Sequence, residues 1–211
     1  MNERSPTYPK RILVVKLADH GDALTITPTL RALRARHPAA RIDALTTRAG
    51  AAMLDRSPHL DGLLLFDKAR FDRVGGAASP RALLAGLRFA LDLRRRRYDT
   101  LVLLHHLVTG WGTLKYTVLA LWSGAATRAG LDNGRGWFLT HRAPDRGWGA
   151  VNERRYWLDV ATLLGASGDD DRPEFPLTAA DRAAGRALVA AGGANPGGPV
   201  VVIHPTVGPY A

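Results

Sequence analysis

Within the stretch KLADHGDALTITPTLRAL, Lys16 to Leu33, a glycine and an aspartate, Gly21-Asp22, stand where an apolar run stops and a helical pattern starts. Glycine lets a backbone turn tightly and approach a ligand. A carboxylate in the first turn of a helix suits the macrodipole. Two readings follow for Asp22: a helix cap, or a general base that takes the proton of an attacking hydroxyl. Asp19 and His20 make the loop more polar than a cap alone requires.

Other residues could join such a site. Arg48 follows the second apolar run, and Lys68, Arg70 and Arg73 follow the third. Arginine meets carboxylate or phosphate through a planar fork, although a solvated basic loop is the plainer reading. His105-His106 follow a fourth run. Adjacent side chains point different ways, so a shared metal is disfavoured. His105 reads either as a ligand contact or as a buried or capping histidine. Near the end of the sequence, Thr206-Val207-Gly208 offers successive backbone N–H groups and a hydroxyl, which suit phosphate.

These residues need elements to position them. Arg11–Leu17, Ile42–Thr47, Gly62–Phe66, Thr100–Leu104 and Ala126–Leu131 are short runs of the kind expected for buried parallel strands. Between them, apolar spacing predicts helices over Asp22–His37 (stopped by Pro38), Ala49–Leu54, Ser79–Arg97 and Thr113–Trp122. Ser79-Pro80 opens its helix as cap and first residue. Gly134–Arg142 reads as a small hairpin and Asn152–Leu164 as a helix. Thr178 to Asp181 reads as a capping box opening a helix to about Ala191. Strands alternating with helices predict an open parallel sheet with helices on both faces. The loops starting at Ala18, Arg48, Asp67 and His105 then share one rim, at the carboxyl ends of the strands where such sheets bind ligands. Residues 1–9 form a loose tail and 192–198 a glycine-rich linker. Residues 199–211 look like the first strand and loop of another domain.

Composition narrows the classes. There is no cysteine, hence no disulfide framework and no thiolate metal site. No secretory signal and no spanning apolar run is present, which makes a cytoplasmic protein the default. The formal net charge is +10, almost all of the cation arginine. That suits polyanions, whether nucleic acid, anionic lipid or phosphorylated sugar; the alternative reading is a GC-rich genome and no functional basic surface. No nucleic-acid motif accompanies it. No G-x-G-x-x-G follows the first strand, so a dinucleotide oxidoreductase is disfavoured. Arg94–Arg97 ends a predicted helix at the opposite end of the sheet, and reads as a solvated face or an anionic-membrane contact. Trp111, Tyr116 and Trp122 suit a membrane interface, but core packing of their helix is the expected role.

Read together, VVKLADHGDALTITPTLRALRARHPAARIDALTT resembles the opening of the lipopolysaccharide heptosyltransferase family of glycosyltransferases. RSPHLDGLLLFDK (56–68), VNERRYWLDVATLLGA (151–166) and VVVIHPTVG (200–208) resemble later segments, so the likeness spans nearly the whole chain. It implies the GT-B arrangement, two Rossmann-like halves facing a cleft, with residues 10–191 as the N-terminal, acceptor-side domain. It also implies an inverting, metal-independent transfer, without a cofactor, from an ADP-heptose type donor to a phosphorylated lipopolysaccharide core. Asp22 would be the base. Gly21, Arg48, Lys68, Arg70, Arg73 and His105 would line the acceptor site, and Thr206, Val207 and Gly208 would begin the donor-phosphate site. The expected location is the cytoplasm, with a peripheral contact at the inner face of the inner membrane. Most of a donor pocket is missing, so the chain is expected to be inactive alone. The competing expectation is a non-catalytic module that grips an anionic glycolipid.

Overall fold

The computed structural model describes residues 9–66 and 80–193 and positions 198, 199, 201 and 203, with backbone alone at 80–83. Its elements run β1 (Arg11–Lys16), α1 (His20–Leu24), α2 (Thr27–Arg36), β2 (Arg41–Thr46), α3 (Arg48–Leu54), β3 (Gly62–Leu65), α4 (Pro80–Arg95), β4 (Thr100–Leu103), α5 (Gly110–Ser123), β5 (Thr127–Asp132), β6 (His141–Pro144), α6 (Glu153–Thr162) and α7 (Ala179–Ala191). The chain divides into two compact units, one ending at Phe175 and one beginning at Pro176.

The first unit is built on a six-stranded sheet in the order β3-β2-β1-β4-β5-β6, and every pairing is parallel. β1 is central, with Val14 opposite Ala44 on one side and Val102 on the other. Because side chains alternate along a strand, Ile12 and Val14 enter one core while Leu13 and Val15 enter another. The first core holds Leu30 and Leu33 of α2 with Tyr156, Trp157 and Val160 of α6. The second holds Leu93 of α4 and Tyr116 and Ala120 of α5. Burial on both faces explains why the strands read as continuous apolar runs rather than alternating ones. The strand order reverses direction between β1 and β4, which opens a crevice beyond their carboxyl ends.

Two local expectations are corrected. The helix expected over Asp22–His37 is two helices, α1 and α2. The Thr25 hydroxyl bonds to Asp22 O at 2.7 Å and the Thr27 hydroxyl to Leu24 O at 2.9 Å. Pro28 contributes no N–H at the start of α2. Hydroxyls thus compete with the helical ladder and the axis breaks. Second, Gly134–Arg142 is no hairpin. Asp132 Oδ1 accepts from the N–H groups of Gly134 and Gly136 at 2.8 and 2.7 Å, and Gly134 takes φ 93°. This curls the chain back so that β6 joins the sheet edge parallel to β5, His141 opposite Ala129.

In the second unit, α7 has the capping box in full. The Thr178 side chain accepts from Asp181 N, and Asp181 Oδ2 accepts from Thr178 N at 2.8 Å. Ser79, the tail through Tyr8, the basic loop 67–78 and residues 194–197, 200, 202 and 204–211 of the linker and last segment lie outside the described residues.

Candidate active site

The crevice is built from the loops after β1, β4 and β6 and the start of α6. Asp22 lies in the first turn of α1, exposed. The cap reading fails in detail, because the N-cap position is Asp19 and no side chain caps this helix. Gly21 is not needed for a left-handed turn, since it is absent from the positive-φ glycines. A Cβ built there would meet nothing within 4 Å. The backbone beside Asp22 therefore borders open space.

What holds this turn comes from elsewhere in the chain. The Thr47 hydroxyl, at the N-cap of α3, accepts from Gly50 N at 3.1 Å and donates to Ala18 O at 2.6 Å. It fastens the loop before α1 to β2. Gly50 packs so closely there that a Cβ would overlap the Thr46 hydroxyl. From the other side Trp157 Nε1 donates to Thr25 Oγ1 at 3.0 Å, and Thr25 in turn bonds to Asp22 O. The Asp22 backbone is thus tied to α6, more than a hundred residues away in sequence.

Beneath it sits Lys16, only 3% exposed at the end of β1. Its Nζ lies 3.1 Å from Glu153 Oε1 and 4.2 Å from the centroid of the Trp157 ring. Burial lowers the Lys16 pKa from its ordinary value, opposed by the carboxylates of Glu153 and, more weakly, Asp22. An ammonium on an indole face inside a protein combines ion pairing with cation–π attraction.

A second buried pair follows β4. His106 Nδ1 is 2.9 Å from Asp145 Oδ2, with side chains 5% and 4% exposed. A carboxylate can only accept, so Nδ1 carries the hydrogen. The imidazole is boxed by Trp148, Tyr156 and Trp157, with ring centroids 4.8–5.3 Å away. Tyr156 OH donates to Gly147 O at 2.7 Å and Gly147 N donates to Asp145 Oδ1 at 2.9 Å. The loop 145–152 is thereby locked to α6, whose N-cap Asn152 accepts from Arg154 N at 3.1 Å.

Of the residues expected in the site, Gly21, Asp22, Arg48 and His105 follow the carboxyl ends of β1, β2 and β4 and so share one rim. Arg48 is exposed at the first position of α3. His105 is half-buried against the Tyr116 ring, 4.6 Å between centroids. Lys68, Arg70, Arg73, Thr206, Val207 and Gly208 lie outside the described residues. Arg94–Arg97 precede β4 at the other end of the sheet, as expected. Lys16, Glu153, Asp145 and Trp157 were not expected, and His106, noted beside His105, was given no role of its own. The one signal available was a lysine closing an otherwise apolar strand. Among the described residues no group of three or more His, Asp or Glu side chains is placed to hold a metal ion.

No protein-family model matches the chain, and no curated protein sequence does. Solved structures do. A glycosyl transferase of family 9 from Veillonella parvula superposes with a TM-score of 0.65 at 20% identity, over 91% of this chain and 52% of that one. E. coli ADP-heptose lps heptosyltransferase II matches with a TM-score of 0.57 at 15% identity, over 85% of this chain and 50% of its own. The E. coli heptosyltransferase WaaC bound to ADP matches with a TM-score of 0.58 at 16% identity, over 80% and 49%. The chain therefore shares its fold with one half of these enzymes and spans about half their length. The parallel, doubly wound sheet agrees with the GT-B half implied by the sequence resemblance.

Proposed function

We propose that the chain is the acceptor-side half of a heptosyltransferase-like glycosyltransferase that works on a lipopolysaccharide core at the cytoplasmic face of the inner membrane. The observation that carries this reading is the exposed Asp22 carboxylate at the β1–β4 crevice, in a fold shared with ADP-heptose transferases. In the proposed reaction the acceptor hydroxyl oxygen attacks the anomeric carbon of the donor sugar. The bond to the nucleoside diphosphate breaks, that diphosphate leaves with the electron pair, and Asp22 takes the hydroxyl proton. Attack opposite the leaving group inverts the anomeric centre, and no metal takes part. Arg48 and His105, with Lys68, Arg70 and Arg73, would hold the anionic acceptor. Thr206, Val207 and Gly208 would begin the donor-phosphate site.

The first test is the DNA sequence past the codon for Ala211. An α/β donor half, in frame or after a frameshift, supports the transferase, and a stop with no such half nearby rejects it for this chain. With that half present, Asp22→Asn should lower sugar transfer by roughly 10²–10⁴-fold while leaving acceptor binding within about twofold. Unchanged transfer would remove Asp22 from the chemistry. The alternative reading is a module that grips an anionic glycolipid without catalysis, using the basic residues of the same rim, Arg48 among them. That reading requires glycolipid binding that survives Asp22→Asn and is lost on Arg70→Ala.

A further inference from the structure

Helix α5 is largely apolar, with Lys115 its only charged residue, yet the fold covers one side of it. Thr113, Tyr116, Thr117 and Ala120 are buried. Trp111, Leu114, Val118, Leu121 and Trp122 recur at helical spacing on the opposite side, and all are 45–61% exposed. Core packing was the role expected for both tryptophans; only Tyr116 has it. An ordinary amphipathic surface helix turns polar residues outward, so this outer stripe is left without a partner among the described residues. α4, which packs against α5, adds a second outward stripe of Leu84, Leu87 and Leu91, each about half exposed. Arg88 and Arg95 stand one turn beyond Leu84 and Leu91, exposed.

We propose that the outward faces of α5 and α4 dock onto an anionic lipid bilayer surface. Charge selects this occupant. On the outward face of α4 the exposed cations Arg88 and Arg95 accompany one exposed carboxylate, Asp92, 3.7 Å from Arg95, and α5 has one lysine and no acidic residue. An aliphatic stripe that carries tryptophans has the composition of a helix face lying at the headgroup boundary, where indoles prefer to sit. Arginine stems lie along apolar surface while their guanidiniums reach headgroup phosphates. A helix ridge is convex, and a fluid bilayer receives it without the shaped groove that a protein partner must supply. The proposal stands on this surface and not on sugar transfer, so either can fail alone.

The test uses the full 211-residue chain in co-sedimentation with sugar-free vesicles. Phosphatidylcholine vesicles mixed with phosphatidylglycerol should bind it at least about tenfold more tightly than phosphatidylcholine alone. The double variant Trp111→Ser/Trp122→Ser should weaken that binding about tenfold. Arg88→Glu/Arg95→Glu should weaken it similarly and remove the preference for anionic lipid, while thermal unfolding stays unchanged because all four side chains are exposed. Should one variant fail to fold, the other and the lipid comparison still decide. Absence of vesicle binding, equal binding to both vesicle types, or binding indifferent to a folded variant overturns the proposal. A solution dimer that Trp111→Ser/Trp122→Ser converts to monomer also overturns it, since a second copy then covers the face.

Discussion

Lys16 ends β1 as a cation in a nearly dry place, and its surroundings divide into opposing influences. Burial disfavours the charge, while Glu153 and the Trp157 ring favour it, and burial prevails in the direction of the shift. The unfolded lysine keeps its proton up to about pH 10.5, whereas the folded one releases it earlier. Inside that alkaline window the unfolded state binds more protons, so the contribution of Lys16 to stability rises with pH. Urea unfolding of the parent and of Lys16→Met, compared between about pH 8 and 11, should therefore show the parent gaining on the variant as pH increases. A constant difference would mean that Lys16 titrates as it does in the unfolded chain. The same lysine lies in the field of Asp22, so the strand's last residue supplies positive potential under the proposed base.

At the scale of elements, α6 matters more to the crevice than its distance in sequence suggests. One face of it brings Glu153 to Lys16, Trp157 to Thr25 and Tyr156 to Gly147. Its start is set by Asn152, which satisfies a backbone donor that the helix leaves open. Asn152→Ala should cost about 1 kcal/mol of stability, measured by denaturant unfolding with no change in the slope. The same substitution should loosen loop 145–152, seen as faster amide exchange at Gly147, whose N–H is held by Asp145. Protection at Gly147 equal to that of the parent would separate the cap from the loop.

For the molecule as a whole, the sheet with its crevice open at the carboxyl ends is, in the proposed reading, one wall of a cleft. The matched part of the chain covers about half the length of its solved neighbours. Sugar transfer also needs positive groups around a leaving diphosphate, and in the proposed reading Thr206–Gly208 begins that site. The purified chain, given ADP-heptose and heptose-free lipopolysaccharide core, should release no ADP above the blank in a coupled assay. Turnover by the chain alone would show that one half suffices.

The sequence by itself determined the strand runs and their parallel class, because strands buried on both faces must be apolar throughout. It also determined the α7 capping box and the placing of Asp22, Arg48 and His105 on one rim, because strand–helix alternation leaves those loops no other end of the sheet. Only the tertiary structure decided what lies around Asp22. Its supports, Thr47, Trp157, Lys16 with Glu153, and His106 with Asp145, join residues far apart in the chain, and no local spacing encodes which of them meet. The break between α1 and α2 and the parallel course of β6 were likewise tertiary. In both, side-chain hydrogen bonds from threonine and aspartate displaced the backbone ladder that periodicity assumes. The outward stripe of α5 belongs to the same class, since a largely apolar helix reads as core until the fold shows which side it covers.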